Sequence, residues 1–448
     1  MTHSKLTLIA SFSLMAFAVA PAHAAADTRP PATAASVSAT SLPASALSYS
    51  LSQLLTLAQT TNKGVEAAQA GVDAASAAIG SARAYPNPQV EVMMGRLQGR
   101  QPGVTSGNSP SYAITQKFDY PRQRNLRQAI AGRGLEASEA QRQGFHAELA
   151  ARVKTAYYEV LRRESELAAA AEDLAMMRQI HSRARLRVEV GEAPRYELIK
   201  AETELLATQK SQQTAELRVN QAKAALRQQV GGAMSAQFGL AGTLGQAPDL
   251  PPLPALRDTM TASNAELTQR RMELERARLG VDYQRSLRWP EVALRASTDR
   301  QPDNNVSQIG LVMTIPLWDR RSGPVGEATA QATQARTALE AREFELTQEL
   351  ETAYRQYEIT QAQLTALESG IVREAESALG VAESAYRFGE RGILDYLDAQ
   401  RVLRGARSDL IAAQFDLQVA AIQIEKLLST NANAAAPAPL PSSTTESK

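Results

Sequence analysis

The chain has 448 residues, a formal net charge of +1 and no cysteine. So even a charge balance gives no field to draw nucleic acid or an acidic substrate, and without cysteine there is no disulfide, thiolate metal site or lipid-modified cysteine. Aromatic residues are 5% of the chain; with Ala, Gln, Glu, Arg and Leu dominant, this is the composition of long helices and coiled coils rather than of a compact α/β or all-β core.

In chain order, Lys5, an apolar run from Leu6 to Val19 and Ala22-His23-Ala24 predict a cleaved signal peptide at 1–24, so the mature chain is expected to leave the cytoplasm. The run is shorter than the ~20 residues of a membrane-spanning helix. Residues 25–48 are rich in Ala, Ser, Thr and Pro, as are 431–448, and both are expected to be disordered. A first unit at 49–230 begins with a helix from about Leu51 to Ala84, stopped by Tyr85-Pro86-Asn87-Pro88. A β-hairpin follows at about 89–119, where Val90, Val92 and Met94 alternate with Gln89, Glu91 and Met93. A helix from about Arg122 to Val188 comes next, roughly 100 Å long at 1.5 Å per residue, then a turn at about 189–196 and a further helix. Glycines and prolines between Gly231 and Pro254 mark a linker at 231–256. The second unit, 257–430, repeats the order: a helix from about Arg257 to Arg288 ending at Trp289-Pro290, a hairpin at about 291–317, a long helix, a turn at about 387–395 and a last helix.

The two units share a design. TAYYEVLRRESEL from Thr155 corresponds to TAYRQYEITQAQL from Thr352, an offset of 197 that Arg124 and Arg321 also keep. Gly191-Glu192 corresponds to Gly389-Glu390 at an offset of 198, so one residue has been inserted or lost in between. In the second unit Leu346, Leu350, Ala353, Tyr357, Thr360, Leu364, Leu367, Ile371, Ala378, Val381, Ala385 and Phe388 follow alternating steps of four and three, broken only by Glu374. A sustained 3.5-residue spacing predicts left-handed coiled-coil packing along that row.

Each of the four strands has the length of a tilted membrane strand. Four cannot close a barrel; eight from two copies would be filled by side chains, and twelve from three copies leave an open lumen. A β-patch capping a helical bundle satisfies the same alternation.

The tandem arrangement, the Pro-terminated first helices and FGERGILDYLDAQRVL at 388–403 resemble the TolC-like outer membrane factors, from about residue 50 to 430. VGEAPRYELIKAETEL at 190–205 is most similar to their CzcC-like, heavy-metal efflux branch. The resemblance implies a mainly α fold with a small membrane β part: a homotrimer whose twelve strands form a barrel among outer membrane lipids, above a tunnel of twelve helices. It implies a passive exit duct for a tripartite pump, with a periplasmic adaptor and an inner-membrane RND-type transporter as partners and heavy-metal cations as cargo. Drugs or secreted proteins are the alternative cargo, and a periplasmic structural coiled coil or adaptor the alternative class. The resemblance makes the turns Val190, Gly191, Glu192 and Phe388, Gly389, Glu390 the adaptor-docking tip. It makes Asp395 and Asp398 constricting acidic rings, and Arg391 and Tyr386 closed-state tethers, with Glu197 as the expected partner of Arg391. Two acids at i and i+3 share a helical face, so rings of them would collect cations and repel anions. Gly191 and Gly389 also suit the left-handed residue that ends a helix before a tight turn.

Beyond the predicted signal peptide only His146 and His181 remain, each alone in a helix, so no transition-metal ligand spacing is present. There is no phosphate loop, nucleophile elbow or Ser/His/Asp arrangement. The expectation is no enzyme, no cofactor and no nucleic-acid partner.

Overall fold

The computed structural model describes residues 48–100, 103, 105–232, 234–245 and 249–429. The expected signal peptide, the tail at 431–448 and all but the last residue of 25–48 lie outside them. The fold is mainly α with a small β part. The first repeat holds α1 (Leu51–Thr61), α2 (Lys63–Arg83), β2 (Gln89–Leu97), β3 (Gly107–Phe118), α3 (Pro121–Glu189) and α4 (Arg195–Val230). The second holds α5 (Leu253–Ser263), α6 (Ala265–Ser286), β5 (Glu291–Arg300), β6 (Asn305–Thr314), α7 (Ser322–Ala366), a π-turn (Leu367–Ile371), α8 (Val372–Arg387) and α9 (Ile393–Leu428). Two short strands, β1 (Ser48–Tyr49) and β4 (Gly239–Leu240), pair in parallel beside the first repeat's core.

The first helix of each repeat is two helices, not one, and asparagine makes the break. Asn62 ends α1 and caps α2, its Oδ1 accepting from Gly64 N at 2.8 Å; Asn264 ends α5 and caps α6, accepting from Leu267 N at 3.0 Å. The other end of each amide ties the joint to the last helix of its own repeat. Asn62 Nδ2 donates to Gln229 O at 2.7 Å and Asn264 Nδ2 to Leu427 O at 2.8 Å. The preceding hydroxyls do the same, Thr61 to Val230 O at 2.9 Å and Ser263 to Leu428 O at 2.8 Å. Four carbonyls that a helix C-terminus would leave orphaned are thereby satisfied.

Prolines and aromatics close the first half of each repeat as expected, with α2 ending before Pro86 and α6 before Pro290. Helix α3 starts at Pro121 and runs 69 residues without interruption. Its counterpart does not. The expected 3.5-residue row is buried from Leu346 to Leu367, but beyond it Val381 is 71% and Phe388 79% exposed. The buried residues there are Ala375, Leu379 and Tyr386, each one position later than the expected row. The π-turn is the reason: the Val372 amide bonds Leu367 O, five residues back, so one turn holds an extra residue and the stripe slips by one.

Three apolar cores result. Leu54, Val153, Tyr157 and Leu226 centre the first repeat's core, and Met260, Leu350, Tyr357 and Ile424 the second's. A third joins both repeats at the far end, where Met177, Ile180, Ala184 and Ala201 of α3 and α4 meet Leu379, Tyr386, Ile393 and Tyr396 of α8 and α9. Ion pairs also bridge α3 to α9, Lys154 to Glu425 and Lys426 to Glu148.

The strands form one antiparallel sheet in the order β2-β3-β5-β6. Strands β2 and β6 are its edges, and among the described residues no further strand pairs with either.

Candidate functional site

The register sorts the sheet into two faces. Val90 pairs with Ile114, Ile114 with Ala296 and Ala296 with Ile309; Val92 pairs with Tyr112, and Leu294 with Leu311. Residues opposite each other share a face, so this face carries an apolar band from edge to edge, with Gln116, Thr298 and Ser307 as polar members beside it. It is also bare: Val90 is 71%, Met94 78% and Ile309 81% exposed. The other face carries Gln89, Glu91, Thr115, Arg295, Ser297 and Gln308, with Met93, Leu97, Val306 and Val312 as its larger apolar exceptions. Two ion pairs cross it, Arg295 to Glu91 at 2.7 Å and Lys117 to Glu291 at 3.7 Å. Where the sheet meets the helices, Tyr85, Phe118, Trp289 and Trp318 are exposed. Among the described residues no helix is long and apolar enough to cross a membrane.

At the opposite end the two helical turns share one backbone geometry. Gly191 has φ +79 and Gly389 φ +76. The Glu192 amide bonds Arg187 O at 2.8 Å, and the Glu390 amide bonds Ala385 O at 3.0 Å. Each is the six-residue closure of a helix end whose left-handed residue is glycine. Val190 and Phe388 stand exposed just before them.

The expected tip residues divide in two. Tyr386 is buried, stacks on Tyr396 with centroids 5.8 Å apart, and lies under the Arg187 guanidinium at 5.0 Å. Arg187 Nη1 also donates to Tyr386 O at 3.4 Å and Nε faces Glu192 at 3.9 Å. Burial pushes the Tyr386 phenol above its ordinary range, with Arg187 pulling it back. Asp395 and Asp398 lie instead on the solvated side of α9, where their pairs are local: Asp395 with Arg391 at 3.3 Å and Asp398 with Arg401 at 3.8 Å.

Within the single chain Arg391 pairs with Asp395, while its expected partner Glu197 lies on α4. Arg391 precedes the N-cap of α9, and Asp395 one turn on is within reach, whereas Glu197 Oε2 is buried with no hydrogen-bond partner among the described residues. The residue that grips across helices is Arg187, which sequence reasoning passed over. Its signal was asymmetry: at the offset of 198 its counterpart is Ala385. Gln400 was also passed over; it is 2% exposed, and neither side-chain polar atom has a hydrogen-bond partner among the described residues. With the hydroxyl of Tyr386 and Oε2 of Glu197, four buried polar atoms go unsatisfied around the third core. A buried polar atom left unpaired costs about 1–3 kcal/mol. Among the described residues no group of three or more acids and histidines is arranged to hold a metal ion.

The family model described as outer membrane efflux protein matches residues 54–232 and 256–430. The cobalt-zinc-cadmium resistance protein CzcC of Cupriavidus metallidurans is 27% identical over 390 residues, which span 84% of this chain and 89% of that protein. The nickel-cobalt-cadmium resistance protein NccC of Alcaligenes xylosoxydans xylosoxydans is 28% identical over 270 residues, 59% of this chain and 60% of that one. The crystal structure of CusC, 17% identical, superposes with a TM-score of 0.74 over 86% of this chain and 92% of its own, a match of fold.

Proposed function

Because the chain belongs to the outer membrane efflux protein family, we propose that it is the outer membrane exit duct of a tripartite pump and that its cargo is heavy-metal cations. The observation that carries this reading is the two-faced sheet with open edges. A bare apolar face needs lipid, a polar face needs water, and two unpaired edges need further strands. Three copies joined β6 to β2 satisfy all three needs with twelve strands and an open lumen. The exposed aromatics at the base of the sheet are of the kind that sits at a membrane–water boundary.

Below the barrel the helices of three copies continue the passage across the periplasm, and the tip closes it. Asp395 and Asp398, exposed and one turn apart, become two rings of three carboxylates, which concentrate cations at the entrance. Val190, Gly191, Glu192, Phe388, Gly389 and Glu390 offer the docking surface to a periplasmic adaptor. An inner-membrane transporter of the RND type supplies the energy. Opening requires the helices of the third core to part, and its unsatisfied polar atoms lower the cost of parting them.

The cargo assignment rests on the two metal-resistance relatives. Growth of a deletion strain on graded cobalt, zinc, cadmium, nickel and drug plates tests it. The reading expects tolerance of the metals to fall several-fold and to return with the gene, drugs being unaffected. A fall for drugs alone transfers the cargo to them, and no fall for either refutes the efflux role.

A further inference from the structure

We propose that the π-turn at Leu367–Ile371 is where the second repeat absorbs its one extra residue, and that it is a hinge on which the α8–α9 tip hairpin moves while α3–α4 stays rigid. The two halves of this statement rest on separate observations. The offset between repeats is 197 through Leu167 and Leu364 and 198 at Gly191 and Gly389, so the extra residue lies between these points. The described part of that interval contains one departure from α-helix, the π-turn. The buried stripe slips by one residue at the same place, from the row ending Leu364, Leu367 to Ala375, Leu379 and Tyr386. Removing one residue from the turn would put the same side chains back on a continuous row with steps of three and four. The turn therefore keeps both repeats in register at the shared third core despite unequal length.

The local chemistry is that of a weak point. At the offsets of 197 before and 198 after the turn, the matching stretch of α3 is Ala170-Ala171-Glu172-Asp173, four residues inside an uninterrupted helix. In the second repeat it is Leu367-Glu368-Ser369-Gly370-Ile371. The Ser369 hydroxyl bonds Thr365 O at 2.6 Å, and Thr365 bonds Gln361 O at 2.9 Å, back-bonds that compete with the helical ladder. Gly370 follows directly, and a Cβ placed on it would meet nothing within 4 Å. Glycine there is not demanded by packing, so its effect is on the backbone. A π-turn and an adjoining Ser-Gly pair are two recognised origins of a helix kink, coincident here. Helix α7 above is anchored in the second repeat's own core, whereas α8 below packs only in the tip core with its unsatisfied polar atoms. Bending at 367–371 lets α8 leave the tip without disturbing α7.

The hinge gives the proposed duct its moving part and so rests on that reading, but its test does not need a channel. The chain lacks cysteine, so spin labels go only where cysteine is introduced. Pairs at Gln361→Cys/Ser384→Cys, across the turn, and at Ala168→Cys/Leu186→Cys, along α3, are all exposed positions. Labelled full-length chains are diluted into unlabelled ones, and pulsed dipolar distances are recorded. The proposal expects the distribution across the turn to be about twofold wider than that along α3. Deletion of Gly370 should keep the circular dichroism of the wild type and narrow the distribution to that of α3, and Gly370→Ala should narrow it in part. Equal widths in the wild type refute the hinge. A deletion variant that loses its helicity refutes the register account, and Gly370→Ala then still decides the hinge. Failure of the wild type to form a channel in bilayers would sink the duct reading and leave these distances standing.

Discussion

Arg187 is the side chain on which the tip is most exposed to a single substitution. It covers the Tyr386 ring and bonds its carbonyl from another helix, an interaction of about 1 kcal/mol at a half-buried site. Arg187→Ala should raise leakage through the tip, read as greater sensitivity to bulky antibiotics, with expression and heat stability of the rest unchanged. Arg391→Ala removes only an exposed pair between the turn and the first residues of α9, under about 0.5 kcal/mol, and should leave leakage near wild type. If the two variants exchanged these phenotypes, the assignment of the grip to Arg187 would be wrong. Gln400→Leu replaces an unpartnered buried amide by an apolar group of similar size; it should raise the melting temperature and tighten the tip, since the desolvation penalty goes without any bond being lost. The residue scale is where the sequence was least readable. Tyr386 could be singled out, but whether an arginine pairs locally or across helices depends on packing, which no local pattern carries.

At the scale of the element, the helical joints make a comparable contrast. Asn264 is buried and serves both as cap and as donor to Leu427 O. Asn264→Ala loses the cap, about 1 kcal/mol, and orphans a carbonyl, a further 1–3 kcal/mol. Asn62→Ala, at a half-buried joint, should cost less; denaturant unfolding followed by circular dichroism ranks the two. Asp173 on α3 gives a pH test. Burial pushes its carboxyl up, against the pull of Arg404 and Arg407. A carboxyl raised on folding weakens the fold at pH above its pKa and stops doing so once it is protonated. Asp173→Asn should therefore stabilise at neutral pH, with the gain shrinking as pH falls; a gain that grew on acidification would reverse the account. Long helices, their proline stops and the turn glycines were legible because each has a local cause. The asparagine joints were not, since asparagine is only mildly unfavourable within a helix and acts here through carbonyls some 160 residues away. The π-turn was half legible. The indel was visible in the repeat offsets, but nothing local says whether an extra residue enters a loop or widens a helix.

At the scale of the whole molecule, the chain is incomplete by design. Its sheet has a bare, largely apolar face, a mostly polar face and two edges that no other described strand covers. Strand alternation makes the two faces readable in the amino-acid sequence, because a period of two needs no tertiary knowledge. What closes the sheet is carried by no local pattern, and follows only from the mismatch between four strands and a closed ring. The detergent-extracted protein should accordingly be a trimer by light scattering. A monomer with its sheet intact would return the strands to the status of a cap on a helical bundle.

The measurement that bears most directly on the central claim is single-channel conductance in planar bilayers, comparing the wild type with an Asp395→Ala/Asp398→Ala variant. An exit duct closed at an acidic tip should give a small, cation-favouring conductance in the wild type and lose that preference in the variant. The absence of a defined channel in both proteins would contradict the claim, and would leave the chain a periplasmic coiled coil.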